Sequence, residues 1–493
     1  MLQISQQDVE KRLDFDNPWW TGGVDVDASY RDLPERSYLE TFYRLVVNRE
    51  VRRAIILLGP RRVGKTVILH QTIRRLLQEE TPGNRILFLS LETPIYSGIG
   101  LETFVLRFQE RFGHSRDTPL TVIFDEVQYL KDWEIHLKSL VDSFPHIRFL
   151  ASGSAAAALR LKSRESGAGR FTEFLLPPLT FAEYLDFVGR ETELIRIDEA
   201  DRAFARDIDA LNLEFVNYLN YGGYPEAVIN TTVRKESGRF IKSDIIDKVL
   251  LRDLPQLYGI RDIQELNRLF TTLAYNTGNE VTLEDLSRSS GVSKTTLSRY
   301  LEYLEAAFLV RRVNRIDQNA RHFKRATAFK IYLTNPSMRA ALFGHPADDD
   351  VSMGALAETA LFAQWFHQPG IVNHLYYARW PAGEIDLVGL DPLSQKPEWA
   401  TEVKWSDRPA KDGKLLRHLA AFRSKHPTIR FCEVTTRTIH GRKSLADGST
   451  VFLVPTSLAV YEVGKFLLSM NHFGGLDGAG ESESESDFPP VQS

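Results

Sequence analysis

An eight-residue segment has the glycine, lysine and hydroxyl spacing of a loop that wraps around phosphate groups: Gly59, Pro60, Arg61, Arg62, Val63, Gly64, Lys65 and Thr66. Glycines allow the backbone to approach an anion closely, and successive N–H groups at the start of a helix bind it. The Lys65 ammonium is then expected to reach the β- and γ-phosphates of a nucleotide, and the Thr66 hydroxyl to ligate Mg²⁺. All eight residues are therefore predicted to bind nucleotide.

A second set of polar side chains follows an apolar run further along the chain. Residues 121–126 read Thr-Val-Ile-Phe-Asp-Glu, so Asp125 and Glu126 stand at the end of a predicted strand. Asp125 is expected to hold the hydration shell of the metal, and Glu126 to polarise an attacking water. Another strand ends at Ser152-Gly153-Ser154, where Ser152 or Ser154 could lie beside the terminal phosphate. The alternative is that the acids only cap a strand and the serines belong to an ordinary loop.

Charged residues near the C-terminus could form a second metal site. Side chains two apart on a strand share a face, so Glu384 lies beside Asp386, and Glu402 beside Lys404. Glu358, an acid in an otherwise apolar helix, could join them. The carboxylates of Glu358, Asp386 and Glu402 would then bind one or two Mg²⁺ ions, while Lys404 orients or activates a water for attack on a phosphodiester. The alternative is a Glu402–Lys404 ion pair that binds no metal.

Residues 283–301 predict two helices joined by a turn at Gly291-Val292, with Ser293 as the N-cap of the second helix. This is a helix-turn-helix pattern, which presents the second helix to a DNA groove. Its exposed face and the following basic stretch supply the candidate DNA-binding residues, which are Lys294, Thr295, Ser298, Arg299, Arg311 and Arg312. The alternative is a packing or dimerisation module whose cationic side chains are only solvated.

These sites must be positioned by helices and strands, and the sequence pattern divides the chain into five segments. Residues 1–40 form an N-terminal extension, and residues 41–190 alternate short apolar strands with helices, which predicts an α/β domain with a parallel sheet. Residues 191–345 are helical, with a winged helix at about 265–330, and residues 346–470 return to a mixed α/β pattern. Residues 471–493 form an acidic tail that is expected to be disordered.

Composition limits the classes of function. With 493 residues, 43% hydrophobic and 26% charged, the chain is expected to fold into about three globular domains. Its net charge of -4 provides no global basic field, so a nucleic-acid partner requires a local patch. The single cysteine, Cys432, excludes an intrachain disulfide and a cysteine-based zinc site. Because neither a secretory signal nor an apolar run of about 18 residues is found, we expect a cytoplasmic protein that does not bind membranes.

Four motifs in this order resemble the AAA-type ATPases that are common in archaea and bacteria. They are Gly59–Thr66, Phe124-Asp125-Glu126, Ser152-Gly153-Ser154, and Gly169-Arg170 followed by the segment Leu176–Tyr184. The resemblance covers about residues 45–190 and implies that the nucleotide is ATP. It also implies that Arg170 is a γ-phosphate sensor or an arginine finger, and a finger that acts in trans requires a homo-oligomer. The alternative for Arg170 is a loop anchor through Glu173 or Glu183.

The rest of the chain resembles the domain of unknown function that follows the ATPase domain in the same family. Residues 221–226, 248–254 and 330–333 carry this resemblance, although Asn335-Pro336-Ser337 replaces the usual Asp and Gly after the last of them. The two pieces Gly383-Glu384-Ile385-Asp386 and Glu402-Val403-Lys404 resemble the core of PD-(D/E)XK nucleases. The resemblance implies a nuclease-like α/β domain at the C-terminus.

The sequence thus predicts an ATP-hydrolysing P-loop protein that acts on DNA, with ATP and Mg²⁺ as cofactors and a possible Mg²⁺-dependent nuclease domain. A second hypothesis belongs to another class: a nucleotide-dependent regulatory or scaffold protein whose nuclease-like fold makes protein contacts without cleavage.

Overall fold

The computed structural model describes residues 5–22, 25–154, 169–200, 202–260, 262–321, 328–445 and 448–473. The chain divides into a first unit, Met1–Pro177, and a second unit, Pro178–Met470. The sequence pattern predicts a boundary at residue 190, but the division falls at Pro177. The reason is that the next segment packs into the second unit, where the Tyr218 hydroxyl donates to Leu179 O at 2.9 Å and the Tyr184 hydroxyl to Glu214 at 2.7 Å. Most of the predicted acidic tail and residues 322–327 of the predicted wing lie outside the described residues.

A parallel sheet of five described strands forms the centre of the first unit. Its strands are β1 (Ala54–Leu58), β2 (Ile86–Ser90), β3 (Leu120–Asp125), β4 (Ile147–Gly153) and β5 (Phe171–Leu175). Their spatial order is β2-β3-β4-β1-β5, and every pairing is parallel. Strands β1, β3 and β4 are buried along their whole length, as expected for apolar strands covered on both faces. The residues that follow the strands therefore collect at one end of the sheet.

The helices of the first unit follow the strands in alternation. They are α1 (Gln6–Asp16), α2 (Ala28–Arg31), α3 (Leu39–Val47), α4 (Lys65–Gln78), α5 (Leu101–Phe112) and α6 (Trp133–Ser143). Helix α5 ends at Gly113, which takes the left-handed conformation with φ of 67°. Short 3-10 turns at 18–21, 83–85, 94–96 and 127–129 complete the connections. This alternation is the predicted α/β pattern.

The N-terminal extension covers the free edge of strand β2. The side-chain amide of Asn17 donates to Phe88 O at 2.9 Å and its carbonyl accepts from Phe88 N at 2.6 Å, so it replaces a neighbouring strand at this position. The indole N–H groups of Trp19 and Trp20 both donate to Ile86 O, at 3.1 and 2.8 Å. These bonds satisfy backbone groups that an edge strand would otherwise leave unpaired.

A sheet of nine described strands dominates the second unit. Its strands are β8 (Glu280–Thr282), β9 (Val310–Ile316), β10 (Ala328–Leu333), β11 (Leu375–Trp380), β12 (Gly383–Leu390), β13 (Pro397–Glu402), β14 (Phe431–Thr436), β15 (Gly441–Ser444) and β16 (Thr450–Pro455). Their order is β15-β16-β14-β13-β12-β11-β9-β10-β8. A separate antiparallel pair joins β6 (Ile195–Ile197) to β7 (Ala203–Ala205).

This sheet joins two regions that the sequence pattern assigns to separate domains. Strands β8, β9 and β10 come from the predicted winged-helix region, and β9 pairs in parallel with β11 of the predicted nuclease-like region. Strand β9 has β10 on one side only, so its other edge is available to β11. The predicted division at residue 345 therefore falls inside one continuous sheet.

The helices of the second unit pack around this sheet or precede it. They are α7 (Phe181–Phe187), α8 (Glu191–Leu194), α9 (Ile208–Tyr221), α10 (Pro225–Ile229), α11 (Thr231–Lys235), α12 (Ser237–Phe240), α13 (Leu254–Tyr258), α14 (Ile263–Tyr275), α15 (Leu283–Ser290), α16 (Lys294–Ala306), α17 (Ser337–Phe343), α18 (Met353–Trp365), α19 (Pro369–Val372), α20 (Arg408–Lys411), α21 (Arg417–Lys425) and α22 (Thr456–Phe473). Residues 241–247 and 249–253 are π-helical. Among the described residues, no helix combines the length and the apolar character needed to cross a bilayer.

Candidate functional site

The predicted phosphate loop connects the end of β1 to the start of α4. A Cβ atom at Gly59 would lie 2.1 Å from Leu176 O, so only glycine fits between the loop and the segment after β5. Gly64 has φ of +96°, which also favours glycine, and α4 begins at the next residue. The backbone N–H groups at the start of α4 have no partner within the helix, and they are oriented to bind an anion.

Lys65 is buried in this loop. Its ammonium donates to Pro60 O at 2.8 Å and to Gly59 O at 3.2 Å, and the residue is only 5% exposed. Phosphate oxygens are stronger acceptors for an ammonium than backbone carbonyls, because they carry charge. The lysine can therefore exchange these carbonyls for a phosphate group that enters the loop.

Thr66 at the start of α4 forms one hydrogen-bonded group with Asp125 and Ser152 at the ends of β3 and β4. The Thr66 hydroxyl donates to Asp125 Oδ2 at 2.9 Å, and the Ser152 hydroxyl donates to Asp125 Oδ1. Burial raises the pKa of Asp125 to about 6, the neighbouring Glu126 contributes in the same direction, and the two hydroxyls partly offset the shift. A buried carboxylate beside a hydroxyl is a hard-oxygen donor pair of the kind that Mg²⁺ prefers.

Glu126 is held by a residue that the sequence analysis does not single out. Gln128 donates from Nε2 to Glu126 Oε2, and its Oε1 accepts from Ser154 N at 3.3 Å. Glu126 itself has φ of +57°, a left-handed conformation that is uncommon for this residue type. The Ser154 hydroxyl is buried and has no hydrogen-bond partner in the described part of the chain. An unpaired buried hydroxyl next to the phosphate loop is available to a ligand.

Arg36 is another residue of this site that the motif search misses. Its guanidinium is 4% exposed and donates to Val63 O at 2.8 Å and to Pro177 O at 3.0 Å. It ties the phosphate loop to the segment that follows β5 and places a positive charge behind it. An arginine far upstream of the motif carries no spacing signal, so only the structure identifies it. Within the loop itself Arg62 has φ of +65° and Val63 is fully buried.

Arg170 lies at the opposite end of the sheet from the phosphate loop. Its carbonyl accepts from Ala54 N at 2.9 Å, at the start of β1, whereas the loop begins after the last residue of that strand. A strand of this length spans about 16 Å. Its guanidinium pairs with Asp142 at 2.5 Å rather than with Glu173 or Glu183. The predicted role as a γ-phosphate sensor in the same chain is therefore corrected, and only action on a neighbouring chain stays a prediction.

The charged residues predicted near the C-terminus meet on strands β12 and β13. Lys404 Nζ lies 2.9 Å from Asp386 Oδ2 and 3.0 Å from Glu402 Oε1, and Val403 N donates to Asp386 Oδ2 at 2.9 Å. Burial raises the pKa of Glu402 to about 8, with Asp386 adding to the shift. For Asp386 burial acts in the same direction, but Lys404 and Lys330 outweigh it and lower the pKa below its usual value. The second oxygen of Glu402, Oε2, is buried and unpaired among the described residues.

Glu358 belongs to a different part of the same network. Its Oε1 accepts from Lys330 at 2.8 Å and from the Tyr332 hydroxyl at 2.6 Å. Lys330 also lies 2.8 Å from Glu384 and 3.5 Å from Asp386, and its side chain is 4% exposed. Burial raises the pKa of Glu358 to about 7, with Asp386 as the next cause.

Lys330 changes the metal site that the sequence predicts. Over the described ranges, no group of three or more His, Cys, Asp or Glu residues has an arrangement that could hold a metal ion. The predicted three-carboxylate site is therefore corrected, because the Lys330 ammonium lies where Glu358 would meet Asp386. The sequence feature that could have identified Lys330 is that it is the single charged residue in the otherwise apolar strand Ala328–Leu333. Lys404 and Glu358 also line a cavity of ≈ 460 Å³ with Asp348, Asp349, Asp350, Trp405 and Arg437.

The predicted DNA-binding residues lie on α16 and β9. Lys294, Thr295 and Arg299 are exposed on α16, and Ser298 is half-buried. Lys294 pairs with Glu284 of α15. Arg312 is held by Glu305 at 2.6 and 2.8 Å, and Arg311 donates to Asn373 at 2.9 Å, so both are committed to neighbours in the same unit. The structure brings the helix, turn and second helix together as the sequence predicts.

The fold and the phosphate loop of the first unit are those of a P-loop α/β domain. Residues 51–185 match a family model described as an AAA domain, and residues 212–349 match another described as a domain of unknown function (DUF8612). The predicted resemblance to AAA-type P-loop proteins is thereby confirmed for the first of these segments.

Three of the proteins that the chain resembles carry the name "Uncharacterized protein". The chain is 27% identical over 295 residues to one from Haemophilus influenzae, covering 59% of this chain and 69% of that protein. It is 22% identical over 358 residues to one from Methanocaldococcus jannaschii, covering 70% and 75%. It is 27% identical over 385 residues to one from Mycobacterium tuberculosis, covering 74% and 73%.

Two solved structures share low similarity with the chain. The Aeropyrum pernix ORC1 protein in complex with DNA is 13% identical, with a TM-score of 0.32, covering 64% of this chain and 94% of that one. The replication initiator DnaA bound to AMPPCP and single-stranded DNA is 12% identical, with a TM-score of 0.27, covering 54% and 86%. At these TM-scores the similarity supports no assignment of function.

Proposed function

We propose that the first unit binds ATP with Mg²⁺ and hydrolyses it. The observation that carries this proposal is the hydrogen-bonded group Thr66–Asp125–Ser152, which lies beside the buried Lys65 ammonium. A hydroxyl and a carboxylate are already in contact where the phosphate loop meets the end of β3, so they fit a hard cation. Thr66 and Asp125 would hold Mg²⁺, which supplies positive charge against the phosphate oxygens when it is bound.

The remaining residues of the site act on the phosphates and on water. Lys65 leaves the carbonyls of Gly59 and Pro60 and binds the β- and γ-phosphate oxygens. The buried hydroxyl of Ser154 donates to a terminal phosphate oxygen, a partner that none of the described residues supplies. Glu126 orients the attacking water and accepts its proton, and Gln128 positions Glu126 through the hydrogen bond between their side chains. Arg36 acts through Val63, as a positioning residue for the loop.

Magnesium-dependent ATP turnover by the purified chain tests the proposal. We expect Lys65→Ala to abolish ATP binding, and Glu126→Gln to keep binding while lowering turnover by a factor of about 100 or more. Lys131→Ala is the matched control. Lys131 is an exposed lysine six residues after the end of β3, and no side-chain hydrogen bond is described for it. Turnover that persists in Lys65→Ala would contradict the assignment of the site.

The effect of DNA on this turnover separates the two classes of function. Stimulation by duplex or single-stranded DNA supports an ATPase that acts on DNA, with contacts through Thr295, Ser298 and Arg299 on the exposed face of α16. Lys294, Arg311 and Arg312 contribute less, because each already has a partner in the second unit. Turnover that is indifferent to DNA supports the alternative, a nucleotide-dependent regulatory or scaffold protein.

A second candidate function is metal-dependent phosphodiester cleavage in the second unit. The observation that favours it is the buried Oε2 of Glu402, which is unpaired among the described residues, while Oε1 of the same carboxylate contacts Lys404 of the Asp386–Lys404 pair. The carboxylates of Asp386 and Glu402 would hold one Mg²⁺, whereas Glu358 is occupied by Lys330 and Tyr332. When bound, the ion would polarise a phosphodiester oxygen, and Lys404 would orient the water.

Glu402→Gln tests this second candidate against a control on the same strand. Glu398 lies four residues earlier on β13 and pairs with Arg430 at 3.5 Å, so Glu398→Gln changes the same charge outside the network. We expect Glu402→Gln to lose Mn²⁺ binding measured by calorimetry and to lose DNA cleavage, while Glu398→Gln keeps both. Absence of Mn²⁺ binding in the unmodified chain would leave the network as a structural ion cluster and contradict the candidate.

A further inference from the structure

Every described strand of the first sheet has an arginine at or near its start. In spatial order across the sheet the strands β2, β3, β4, β1 and β5 bring Arg85, Arg116, Arg148, Arg53 and Arg170. Three of these residues directly precede their strand, Arg148 is the second residue of β4, and Arg116 lies four residues before β3. Because all five strands are parallel, their starts share one end of the sheet, which is the end opposite the phosphate loop. We call this surface the arginine end.

The loop before β1 adds two more cations to the arginine end. Arg49 donates to Leu120 O at 3.4 Å and to His146 O at 3.2 Å, so it spans the starts of β3 and β4. Arg52 donates to Asp142 O at 2.9 Å. These acceptors are backbone carbonyls, and Arg49 also donates to the Thr121 hydroxyl at 3.3 Å. All of them are uncharged, so the positive charge of each guanidinium is not neutralised.

Arg148 binds the backbone of this loop through its guanidinium group. It is 6% exposed, and its guanidinium donates to the carbonyls of Val51 and Arg53, at 3.2 and 2.8 Å, and to that of Asn48. Burial lowers the pKa of Arg148 to about 10, and the nearby Arg49 contributes in the same direction. A buried cation without a carboxylate partner is unfavourable on its own, and an anion bound at the surface above it would relieve that cost.

Acidic residues compensate only part of this charge. In the described part of the chain, the side-chain contacts of the seven arginines reach one carboxylate, that of Asp142, which pairs with Arg170. Asp117 pairs with His146 at 3.6 Å. Arg53 and Arg85 are exposed, and no side-chain hydrogen bond or ion pair is described for either. The seven arginines still outnumber the acids of the adjoining segments, which are Glu50, Asp117 and Asp142, so positive charge is in excess here on a chain whose net charge is -4.

We propose that the arginine end binds the phosphate backbone of nucleic acid without reading its sequence. Four inter-strand spacings make the row about 19 Å long, which corresponds to the axial rise of about five to six base pairs of duplex DNA. Guanidinium groups match phosphate oxygens in a bidentate way, and phosphate contacts of this kind fix a protein on a duplex without reading bases. An acidic protein is a poorer fit, because Asp and Glu, which would have to meet these arginines, are depleted from protein–protein interfaces. The proposal depends neither on ATP turnover nor on the Asp386–Glu402 site. It also does not require Arg170, which pairs with Asp142 and is expected to act on a neighbouring chain.

The experiment measures binding of the full chain to a short labelled DNA duplex of mixed sequence. EDTA is present and nucleotide is absent, so neither metal-dependent reaction contributes. The test variant is the double substitution Arg53→Glu and Arg85→Glu at the arginine end. The control is Lys11→Glu and Lys235→Glu, which changes the net charge equally at exposed lysines on α1 and α11. A third variant, Thr295→Ala and Arg299→Glu, probes α16 separately.

We expect the arginine-end variant to bind at least about tenfold more weakly, with the slope of log affinity against log salt smaller by about 2. The lysine control should bind as the unmodified chain does, and both variants should keep Mg²⁺-dependent ATP turnover. Equal binding by the arginine-end variant and the unmodified chain would overturn the proposal, as would an absence of duplex binding altogether. Binding to polyglutamate is measured in the same way. If the arginine-end variant loses binding to polyglutamate but keeps binding to DNA, the proposal is overturned and an acidic polypeptide is the partner.

Discussion

At the scale of single residues, the hydroxyl of Thr66 is the most economical test of the nucleotide site. Valine has the same shape but lacks the hydroxyl that donates to Asp125, whereas serine retains it. We expect Thr66→Val to lower Mg²⁺-dependent ATP turnover by about 100-fold, and Thr66→Ser to retain most of it. Binding of ATP in EDTA, measured by fluorescence titration, should change little in either variant. An equal loss in both variants would mean that the hydroxyl is not the important group.

His70 predicts a pH dependence of folding in the first unit. It stacks on Tyr30 with ring centroids 4.0 Å apart and lies against Trp19 and Phe88, and its burial lowers the pKa to about 4, with Asp27 opposing the shift. The unfolded chain takes up a proton below about pH 6.5, whereas the folded chain does so only near pH 4. The stability that the neutral ring contributes is therefore complete above pH 6.5 and is lost as the pH falls from 6.5 to 4.

Urea unfolding of the chain and of His70→Phe at pH 7 and pH 5 measures this contribution. Between these two values the free energy of unfolding should fall by about 2 kcal/mol more in the unmodified chain than in His70→Phe. Phenylalanine keeps the stacking on Tyr30 but cannot take up a proton. The same pH dependence in both proteins would show that His70 is not protonated on unfolding in this range.

At the scale of secondary-structure elements, Lys330 joins three elements of the second unit. It lies on β10 and pairs with Glu358 on α18 and with Glu384 and Asp386 on β12. Lys330→Met should lower the free energy of unfolding by about 3–5 kcal/mol, because it leaves the buried Glu358 carboxylate without a cationic partner. Asp386 keeps Lys404, and Glu384 keeps Arg379. The double variant Lys330→Met and Glu358→Gln should recover part of this loss. If the double variant is less stable than the single one, Glu358 does not depend on Lys330.

The elements also show how far the sequence alone predicts this fold. Strands β1 to β4 coincide closely with the apolar runs that predict them, because each is a continuous apolar stretch between turns. Strand β5 was missed, since Phe171–Leu175 includes a threonine and a glutamate and is only half-buried. The contact between β9 and β11 could not be predicted either, because pairing of distant strands leaves no local periodicity.

In the candidate sites too, residues that belong to a local sequence pattern were predicted and the others were not. Lys65, Thr66, Asp125 and Ser152 were predicted because a motif or a strand end marks each of them, and the structure brings them together. Asp386, Glu402 and Lys404 were predicted from two-residue spacing on neighbouring strands. Three other members of these sites were not predicted, because they are distant in sequence from the motifs or belong to no motif. They are Arg36, Gln128 and Lys330.

At the scale of the whole molecule, the position of Arg170 makes ATP turnover a test of assembly. Since Arg170 and the phosphate loop lie at opposite ends of one sheet, Arg170 can reach a γ-phosphate only in another copy of the chain. We expect Arg170→Ala and Glu126→Gln to be nearly inactive separately, and an equimolar mixture to regain turnover. The mixed interface then combines an intact Glu126 with an intact Arg170. Full activity of Arg170→Ala alone would remove Arg170 from the mechanism.

The side chain of Asn17, which pairs with the backbone of Phe88, also has a consequence for solubility. Strand β2 is the outermost strand of its sheet, and Asn17, Trp19 and Trp20 occupy the hydrogen-bonding groups of Ile86 and Phe88 on its outer side. A chain shortened to the segment that matches the AAA family model would uncover these groups on an apolar strand. Such an edge can recruit the same strand of another copy, so the shortened chain should aggregate through intermolecular β-pairing while residues 5–22 keep the intact chain dispersed.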